Sequence, residues 1–231
     1  MNVIVTGASK GIGKAIADIY AAEGHTLLLC ARSEAQLLQT ANELMNKHGN
    51  KVHIKVADLS KKEETIAFGN WCLEFGKPDI LVNNAGRFIS GKIYNEEAGI
   101  LEDMIETNLY SAYHLTRTIL PAMMQQQTGH IFNICSVASI KPYSNGGSYS
   151  ISKYAMLGFS KNLREELMPH HIKVTSVLPG AVFTDSWSGS DINPKRIMQE
   201  KDIAEMVLAA SKLSPQACVE EILLRPQLGD L

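Results

Sequence analysis

The chain has 231 residues, of which 45% are hydrophobic, so it can bury a large core within one α/β domain. Its formal net charge is −2 and it carries no run of Lys or Arg, which argues against a nucleic-acid partner. The longest apolar runs, such as Thr26–Ala31, are too short to cross a bilayer. A predicted strand begins at Asn2 without a charged leader, so we expect a cytoplasmic protein with no membrane contact.

The four cysteines lie far apart, and at least two of them fall inside apolar, strand-like runs. We expect reduced core thiols rather than a disulfide set or a zinc site. The seven histidines show no metal-ligand spacing either, so the sequence predicts no metal centre. The cysteines are Cys30, Cys72, Cys135 and Cys218.

Short β-rich segments alternate with segments of helical periodicity along the chain. The predicted strands are Asn2–Thr6, Thr26–Ala31, Val52–Ala57, Ile80–Val82, Gly129–Cys135, Ile172–Leu178 and Glu220–Leu224. The predicted helices are Ile12–Glu23, Glu34–His48, Lys61–Phe75, Met104–Gln127, Tyr149–Met168 and Asp202–Leu213. This alternation predicts right-handed βαβ crossovers and one parallel sheet of about seven strands, covered by helices on both faces. We expect a single Rossmann-like, doubly wound domain over residues 1–231, with ligands bound beyond the carboxyl ends of its strands.

The first predicted strand runs into a glycine-rich turn, Thr6-Gly7-Ala8-Ser9-Lys10-Gly11-Ile12-Gly13, which opens the first predicted helix. Glycines allow close backbone approach, and the N–H groups of a helix N-terminus attract a phosphate. The spacing Gly-x3-Gly-x-Gly differs from the Gly-x-Gly-x-x-Gly of other dinucleotide folds. A tight turn without a ligand is the structural alternative.

The second predicted strand ends at Ala31 and Arg32, where an NAD enzyme would carry Asp or Glu for the ribose hydroxyls. Arg32 and Lys10 are cations suited to a 2′-phosphate, which favours NADP(H); two solvated side chains are the alternative. Asp58 follows the third strand and is suited to an adenine amino group, or else to capping a turn or helix.

Later strand ends carry further candidate site residues. Asn83–Gly86 follows the fourth strand with small residues and amides that can tie strands together. Asn108 lies inside an apolar helical segment, where its amide needs partners; it either kinks the helix and holds a water or belongs to a routine polar face. Pro179–Thr184 follows the sixth strand and is predicted to lie against a nicotinamide. Residues of about 185–200 are predicted to form a lid.

The segment from Ser136 to Lys153 carries the acid–base candidates. Tyr149 and Lys153 stand four residues apart and therefore share one face of a helix. An ammonium close to a phenol favours the phenolate, which makes the phenol a useful proton donor and acceptor. Ser136 ends an apolar strand and can meet the tyrosine across the strand-to-helix connection. An exposed lysine and a half-buried tyrosine are the alternative.

Together these motifs resemble the short-chain dehydrogenase/reductase family, in its order and at its spacings, over nearly the whole chain. The resemblance implies that Tyr149 is the general acid/base and that Ser136 positions the substrate oxygen. It also implies that Lys153 holds the nicotinamide ribose and assists the phenol, and that Asn108 supports a water in a proton relay. The predicted NADP(H) site comprises Gly7, Ser9, Lys10, Gly11, Ile12, Gly13, Arg32, Asp58, Leu59, Asn84, Ala85, Gly86, Tyr149, Lys153, Pro179, Gly180, Val182 and Thr184.

Within the family the sequence is similar to NADP-dependent carbonyl reductases, and its ending is similar to that of short 3-hydroxy acid dehydrogenases. Resemblance to 3-oxoacyl-carrier-protein reductases and sepiapterin-type reductases stays open. The apolar candidates Phe88, Ile140, Tyr143, Phe183 and Trp187 indicate a small or medium, partly apolar substrate, and Arg87 either binds a substrate carboxylate or is an exposed loop side chain. A nicotinamide-binding regulator with little turnover is the alternative function.

A homodimer or homotetramer is predicted, partly from the resemblance and partly from two overfilled apolar helices. Met104–Met124 is apolar on more than one face, and so is the helix that begins at Tyr149. The second face of each helix then needs a partner subunit. The residues concerned are Met104, Ile105, Leu109, Tyr113, Leu115, Ile119, Leu120 and Met123 in the first segment, and Tyr154, Met156, Leu157, Phe159 and Leu163 in the second.

Overall fold

The computed structural model describes residues 1–184 and 192–230 of the chain. Within these residues, seven parallel strands form one sheet in the order β3-β2-β1-β4-β5-β6-β9, and β7 pairs with β8 in a separate two-stranded ribbon. The strands are β1 (Asn2–Thr6), β2 (Thr26–Ala31), β3 (Val52–Val56), β4 (Ile80–Asn83), β5 (Gly129–Ile134), β6 (Ile172–Pro179), β7 (Val182–Phe183), β8 (Met198–Gln199) and β9 (Glu221–Leu224). The predicted Rossmann-like parallel sheet is confirmed.

Helices connect the strands and cover both faces of the sheet. They are α1 (Gly11–Ala22), α2 (Glu34–His48), α3 (Lys62–Leu73), α4 (Ile100–Ile105), α5 (Ser111–Gln126), α6 (Gly147–Leu167) and α7 (Glu200–Ser211). A π-helical turn, Glu106–Tyr110, joins α4 directly to α5, and short 3-10 turns occupy Val137–Ser139, Met168–His170 and Pro194–Arg196. None of the described helices is long and apolar enough to cross a membrane.

The side chains of each central strand alternate between two apolar layers, because successive residues of a strand point to opposite faces. In β1, Val3 and Val5 pack in the layer that α1, α2 and α7 cover, whereas Ile4 packs in the layer under α3, α5 and α6. All three side chains are fully buried. Burial on both faces explains why the strands appear in the sequence as almost continuous apolar runs.

Strand order reverses at β1, which lies between β2 and β4 in the sheet. The helix that leads from β1 to β2 and the helix that leads into β4 cover opposite faces of the sheet. The turn after β1 and the segment after β4 therefore meet in the crevice where doubly wound sheets bind ligands. The predicted site residues follow the carboxyl ends of β1 through β6, so the fold gathers them along one edge.

Several predicted bounds differ from the structure. The predicted helix Met104–Gln127 begins earlier, at Ile100, and is interrupted by the π-helical turn. The β7–β8 ribbon was not predicted. Of the predicted lid over residues 185–200, residues 185–191, which include Trp187, lie outside the described residues. The remainder forms the 3-10 turn at Pro194–Arg196, β8 and the first residue of α7.

The apolar surplus of the long helices is smaller than predicted. Of the side chains predicted to overfill them, only Tyr113 and Tyr154 are exposed. The others pack at least partly inside the protomer, because the sheet below and the neighbouring helices together cover more than one stripe. Fully or almost fully buried members are Met104, Leu115, Ile119, Met123, Met156, Leu157 and Leu163.

Candidate active site

The glycine turn after β1 has the backbone that a phosphate-binding turn requires. Gly7 and Gly11 adopt positive φ of 63° and 61°, a conformation that costs other L-residues free energy. A Cβ on Gly13 would lie 2.4 Å from the Gly7 carbonyl oxygen, so only glycine fits there. The turn delivers the chain to the N-terminus of α1, whose first turn contains no acidic residue. The first helical N–H groups therefore face a site that favours an anion.

Hydrogen bonds tie the glycine turn to the segment after β4. The Thr6 hydroxyl accepts from the backbone N–H groups of Asn84 and Ala85, at 2.9 and 2.8 Å. The Asn84 amide donates back to the Thr6 and Gly7 carbonyls, at 2.8 and 3.2 Å. Gly86 continues this segment next to α6: a Cβ on Gly86 would lie 3.7 Å from Lys153 Nζ. These hydrogen bonds hold the glycine turn and the segment after β4 together at the crevice, where a dinucleotide would bind.

The end of β2 carries the residues predicted to select the cofactor, and their role stays a prediction. Ala31 is buried and neutral, Arg32 beside it is exposed, and Ser33 caps α2 by accepting from the Gln36 N–H. Lys10 is the N-cap residue of α1, with an extended backbone. The positive side chains therefore flank the crevice from the end of β2 and from the glycine turn.

Asp58 is engaged in its own turn after β3. Its Oδ1 accepts from the Ser60 N–H at 3.1 Å and from the Ser60 hydroxyl at 2.9 Å. The turn role that we considered as the alternative is therefore present in the structure. Leu59 beside it is buried.

The turn after β6 closes the cofactor side of the site. Pro179 ends β6, and the Gly180 N–H donates to the Leu224 carbonyl at 2.8 Å, which fixes the turn against β9. Val182 is buried in β7, and a Cβ on Gly11 would lie 3.6 Å from the Thr184 methyl group. The segments after β1 and β6 thus approach each other across the crevice. Ser9 lies in the glycine turn and Ile12 in the first turn of α1. The Ser9 carbonyl accepts from the Thr40 hydroxyl at 3.0 Å.

Tyr149 and Lys153 lie on one face in the first turns of α6, as predicted from their spacing. Lys153 is buried, and its Nζ donates to the Ile134 carbonyl at the end of β5, at 2.8 Å. The same Nζ lies 5.8 Å from the centre of the Tyr149 ring. A buried ammonium held by a strand end therefore sits beside a partly exposed phenol.

Ser136 follows β5 and is buried at the start of the 3-10 turn. Its Oγ accepts from the Ala138 N–H at 3.1 Å, and this bond leaves the hydroxyl hydrogen to be donated to another oxygen. Cys135 beside it is not a competing nucleophile. Burial raises the pKa of its thiol to about 12, although the charge of Lys153 acts in the opposite direction.

Asn108 lies in the π-helical turn and is almost fully buried. Its Oδ1 accepts from the Arg87 N–H at 2.6 Å, and its Nδ2 donates to the Arg87 carbonyl at 3.0 Å and to Ser152 Oγ at 2.9 Å. The Ser152 hydroxyl in turn donates to the Tyr149 carbonyl at 2.7 Å. The amide therefore joins the segment after β4 to α6, and it does so from a π-helical turn that interrupts the helix. The kink and the water that were predicted at Asn108 stay predictions.

The mouth of the site is apolar. Phe88 meets the Tyr149 ring edge-on, with ring centres 4.9 Å apart. Ile140 and Tyr143 follow β5, Phe183 follows β6, and all three side chains are exposed. Partial burial of the Tyr143 phenol, together with the charge of Tyr149, raises its pKa to about 12. The Arg87 guanidinium pairs with Asp103, so the structure gives it a partner other than a substrate carboxylate.

Among the polar residues that support the site, Asn83 was predicted to tie strands together, whereas Asn133, Ser160 and Glu96 were not identified from the sequence. Asn83 Nδ2 donates to Asn133 Oδ1 at 2.9 Å, and Asn133 Nδ2 donates to Ser160 Oγ at the same distance, which ties β4, β5 and α6 together. Glu96 reaches the first turn of α6, where it accepts from the Ser148 N–H at 3.0 Å. The signal for Glu96 was Gly147, which makes room for its carboxylate.

Comparison with known proteins agrees with this geometry. A family model described as short chain dehydrogenase matches residues 1–194. An uncharacterized oxidoreductase of Staphylococcus saprophyticus is 33% identical over 224 residues, which is 96% of each chain. The structure of an alcohol dehydrogenase from the archaeon Thermococcus sibiricus, complexed with 5-hydroxy-NADP, superposes with a TM-score of 0.91 at 31% identity, covering 98% of this chain and 96% of that one.

A short-chain dehydrogenase from Sphingobium yanoikuyae, in complex with NADPH, superposes with a TM-score of 0.85 at 31% identity, covering 95% of this chain and 87% of that one. Both structures match this chain in sequence and fold over almost its full length. The chain therefore belongs to the short-chain dehydrogenase family.

Proposed function

We propose that the protein is an NADP(H)-dependent oxidoreductase that interconverts a carbonyl and a secondary alcohol, with Tyr149 as the general acid/base. The observation that carries this proposal is the Tyr149 phenol beside the buried Lys153 ammonium, whose Nζ is 2.8 Å from the Ile134 carbonyl. Ser136 follows the same strand end with a hydroxyl hydrogen free to be donated. Positioned acid–base groups of this kind typically contribute about 10²–10⁴-fold to rate.

The residues present fit NADP(H). A Cβ on Gly13 would fill the cradle under the α1 N-terminus, and that N-terminus suits a diphosphate. Arg32 and Lys10 suit the 2′-phosphate, and the neutral Ala31 presents no repelling carboxylate. The Pro179–Thr184 turn and the Asn84–Gly86 segment border the nicotinamide end. The NADP-bound and NADPH-bound relatives support the same choice.

When bound, the nicotinamide supplies or accepts the hydride, and the chain supplies orientation and the proton. In the reductive direction, Tyr149 donates its phenolic proton to the substrate oxygen while Ser136 donates a hydrogen bond to the same oxygen. Lys153 stabilises the phenolate that remains. Each group is held by the fold before substrate arrives, which limits the reorganisation that the reaction requires.

The substrate class that fits the mouth is a neutral, partly aromatic or aliphatic ketone. Phe88 packs on the Tyr149 ring, and Phe88, Ile140, Tyr143 and Phe183, which follow strand ends, are between 38% and 47% exposed. Arg87 is paired with Asp103 and is therefore not set aside for a substrate carboxylate. We expect neutral aryl and alkyl ketones to be reduced with higher kcat/KM than 3-oxo acids of similar size.

NADPH oxidation, followed at the cofactor's absorbance across a panel of ketones, diketones and 3-oxo acids, tests the proposal. Tyr149→Phe keeps the ring that packs on Phe88 but removes the transferable proton, so we expect turnover to fall by about 10²–10⁴-fold while NADPH still binds. Tyr154→Phe makes the same change at an exposed position of the same helix and should leave turnover unchanged.

Wild-type turnover in Tyr149→Phe would refute the assigned role. Tight NADPH binding without oxidation by any carbonyl would instead support the nicotinamide-binding regulator.

A further inference from the structure

The helix that carries Tyr149 and Lys153 begins without a cap of its own. The N-cap residue of α6 is Gly146, which has no side chain, and its first turn contains no acidic residue. Helix N-terminal N–H groups need acceptors, which N-cap side chains usually supply. Here the acceptor comes from another part of the chain.

Glu96 supplies that acceptor from the loop between β4 and α4, residues 87–99, which we name the docking loop. Its Oε1 accepts from the Ser148 N–H at 3.0 Å, and its Oε2 accepts from the Ser148 hydroxyl. Ser148 is buried and immediately precedes Tyr149. A Cβ on Gly147 would lie 2.0 Å from Glu96 Oε1, so the glycine makes this contact possible.

The docking loop also contacts α6 and the segment just before it. The Gly91 N–H donates to the carbonyl of Asn145, which precedes α6, at 3.0 Å, and Phe88 packs on the Tyr149 ring in α6. At the start of the loop, Asn108 holds both backbone groups of Arg87 and donates to Ser152. The contacts at Ser148 and Ser152 therefore fall on the residues directly before Tyr149 and Lys153.

We propose that Glu96 is a positioning residue for the proposed reaction: its carboxylate caps α6 and thereby fixes the Tyr149 phenol and the Phe88 side of the mouth together. The inference rests on the proposed function, because positioning is defined by the reaction it serves. A displacement of about 1 Å at a reacting group can cost up to about 10²-fold in rate. Glu96 touches neither the glycine turn nor the end of β2, so the predicted phosphate contacts of the cofactor should not depend on it, and we expect only a small change at the Tyr149–Lys153 contacts.

The test compares Glu96→Ala and Glu96→Gln with Glu97→Ala, which removes an exposed carboxylate one residue away in the same loop. We expect Glu96→Ala to lower kcat for ketone reduction by about 10- to 100-fold with only a small change in the NADPH Kd measured by fluorescence. Glu96→Gln keeps an oxygen for the Ser148 N–H and should recover most of the activity. Glu97→Ala should behave as wild type.

Amide hydrogen exchange provides a readout independent of turnover. Exchange in the first turn of α6 should rise in Glu96→Ala and return towards the wild-type rate in Glu96→Gln, because an uncapped turn opens more often. Gly147→Ala, which displaces the carboxylate from the helix side, should reproduce the kinetic effect of Glu96→Ala.

Unchanged kcat in Glu96→Ala would overturn the inference. So would a fall in kcat that is matched by losses of NADPH affinity and thermal midpoint, since that pattern describes general destabilisation, or a Glu96→Gln variant as impaired as Glu96→Ala. If the wild type reduces no carbonyl, the proposed function fails and the catalytic role of Glu96 fails with it; faster exchange in Glu96→Ala alone would then still establish the cap.

Discussion

Arg32 and Arg87 both follow strand ends that border the predicted site, and the fold gives them different surroundings. Arg87, after β4, pairs with Asp103 of α4, whereas Arg32, after β2, is exposed beside the buried Ala31. In the sequence both are cations next to a predicted site. Pairing removes one from the set of groups available to an anionic ligand, and exposure at the crevice leaves the other available.

At the residue scale, Arg32 determines our prediction for cofactor choice. A guanidinium offers paired donors to phosphate oxygens, and hydrogen bonds to charged groups contribute about 1.5–3 kcal/mol, or about one to two decades in affinity. We expect NADPH to be preferred over NADH by about tenfold or more in kcat/KM. The preference should shrink as salt rises, because the side chain is exposed.

A variant designed to reverse the cofactor preference tests this prediction. Ala31→Asp combined with Arg32→Ala removes the attraction and adds a carboxylate that repels the 2′-phosphate, so it should favour NADH. Initial rates with both cofactors at low and high salt measure the change. Equal use of both cofactors by the unmodified protein at low salt would show that Arg32 does not contact the phosphate.

At the scale of elements, the π-helical turn Glu106–Tyr110 links the segment after β4 to α6. It interrupts what would otherwise be one continuous helix from α4 to α5, and π-helical turns occur frequently at functional sites. The interruption presents the Asn108 amide to the backbone of Arg87 and to Ser152. The docking loop and the catalytic helix are thereby held at one point.

We expect Asn108→Ala to destabilise the protein as well as slow it. The substitution leaves the N–H and carbonyl of Arg87 without this partner, which costs about 1–3 kcal/mol where such groups are buried. For a chain of this size each kcal/mol corresponds to about 2–4 °C in Tm. Calorimetry and initial rates check both effects. Asn162→Ala, at an exposed amide that bonds only to Gly158 within α6, is the control and should change neither.

At the scale of the whole molecule, the sheet buries a histidine between two strands. His130 of β5 lies 2.7 Å from the Thr175 hydroxyl of β6, and because that hydroxyl donates to the Val219 carbonyl, the His130 Nε2–H is the donor. Burial, with a smaller contribution from Lys173, lowers the pKa of His130 from 6.5 to about 3. The folded protein therefore holds this imidazole neutral.

The consequence is acid destabilisation with a definite sign. Between pH 6.5 and about 3 the unfolded chain binds a proton at His130 that the folded chain does not, so the free energy of unfolding falls as pH falls. We expect His130→Gln, which keeps an N–H donor, to lose stability less steeply over this range, by up to about 1.4 kcal/mol per pH unit. Urea titrations at several pH values measure the slopes; equal slopes would contradict the prediction.

The exposed aromatic side chains of the π-helical turn, α5 and α6 support the predicted oligomer. Tyr110, Tyr113 and Tyr154 are between 37% and 49% exposed on neighbouring helices. Light scattering should give at least twice the chain mass of 25.3 kDa at micromolar concentration. Tyr113→Glu with Tyr154→Glu should yield monomers, whereas Leu38→Glu, at an exposed position of α2, should not. A monomeric wild-type mass would reject the oligomer.

The sequence by itself determined the strands, most helices and the grouping of the catalytic and cofactor motifs. The bounds of β1, β2 and α2 were predicted without error, because each is a long periodic or apolar run with clear flanking signals. Tyr149 and Lys153 were identified together because helical spacing is local. Parallel topology then follows from alternation, and it gathers the strand ends at one edge.

Tertiary structure alone decided what each polar side chain contacts. The pairing of Arg87 with Asp103 and the capping of α6 by Glu96 join residues whose partners depend on how loops pack. The π-helical turn likewise coincides with the bonds of Asn108 to other segments, which the periodicity of the surrounding helix does not indicate. Burial of the apolar residues in a local pattern supplies the free energy that stabilises strands and helices. The contacts of loop side chains depend on distances that exist only in the folded chain.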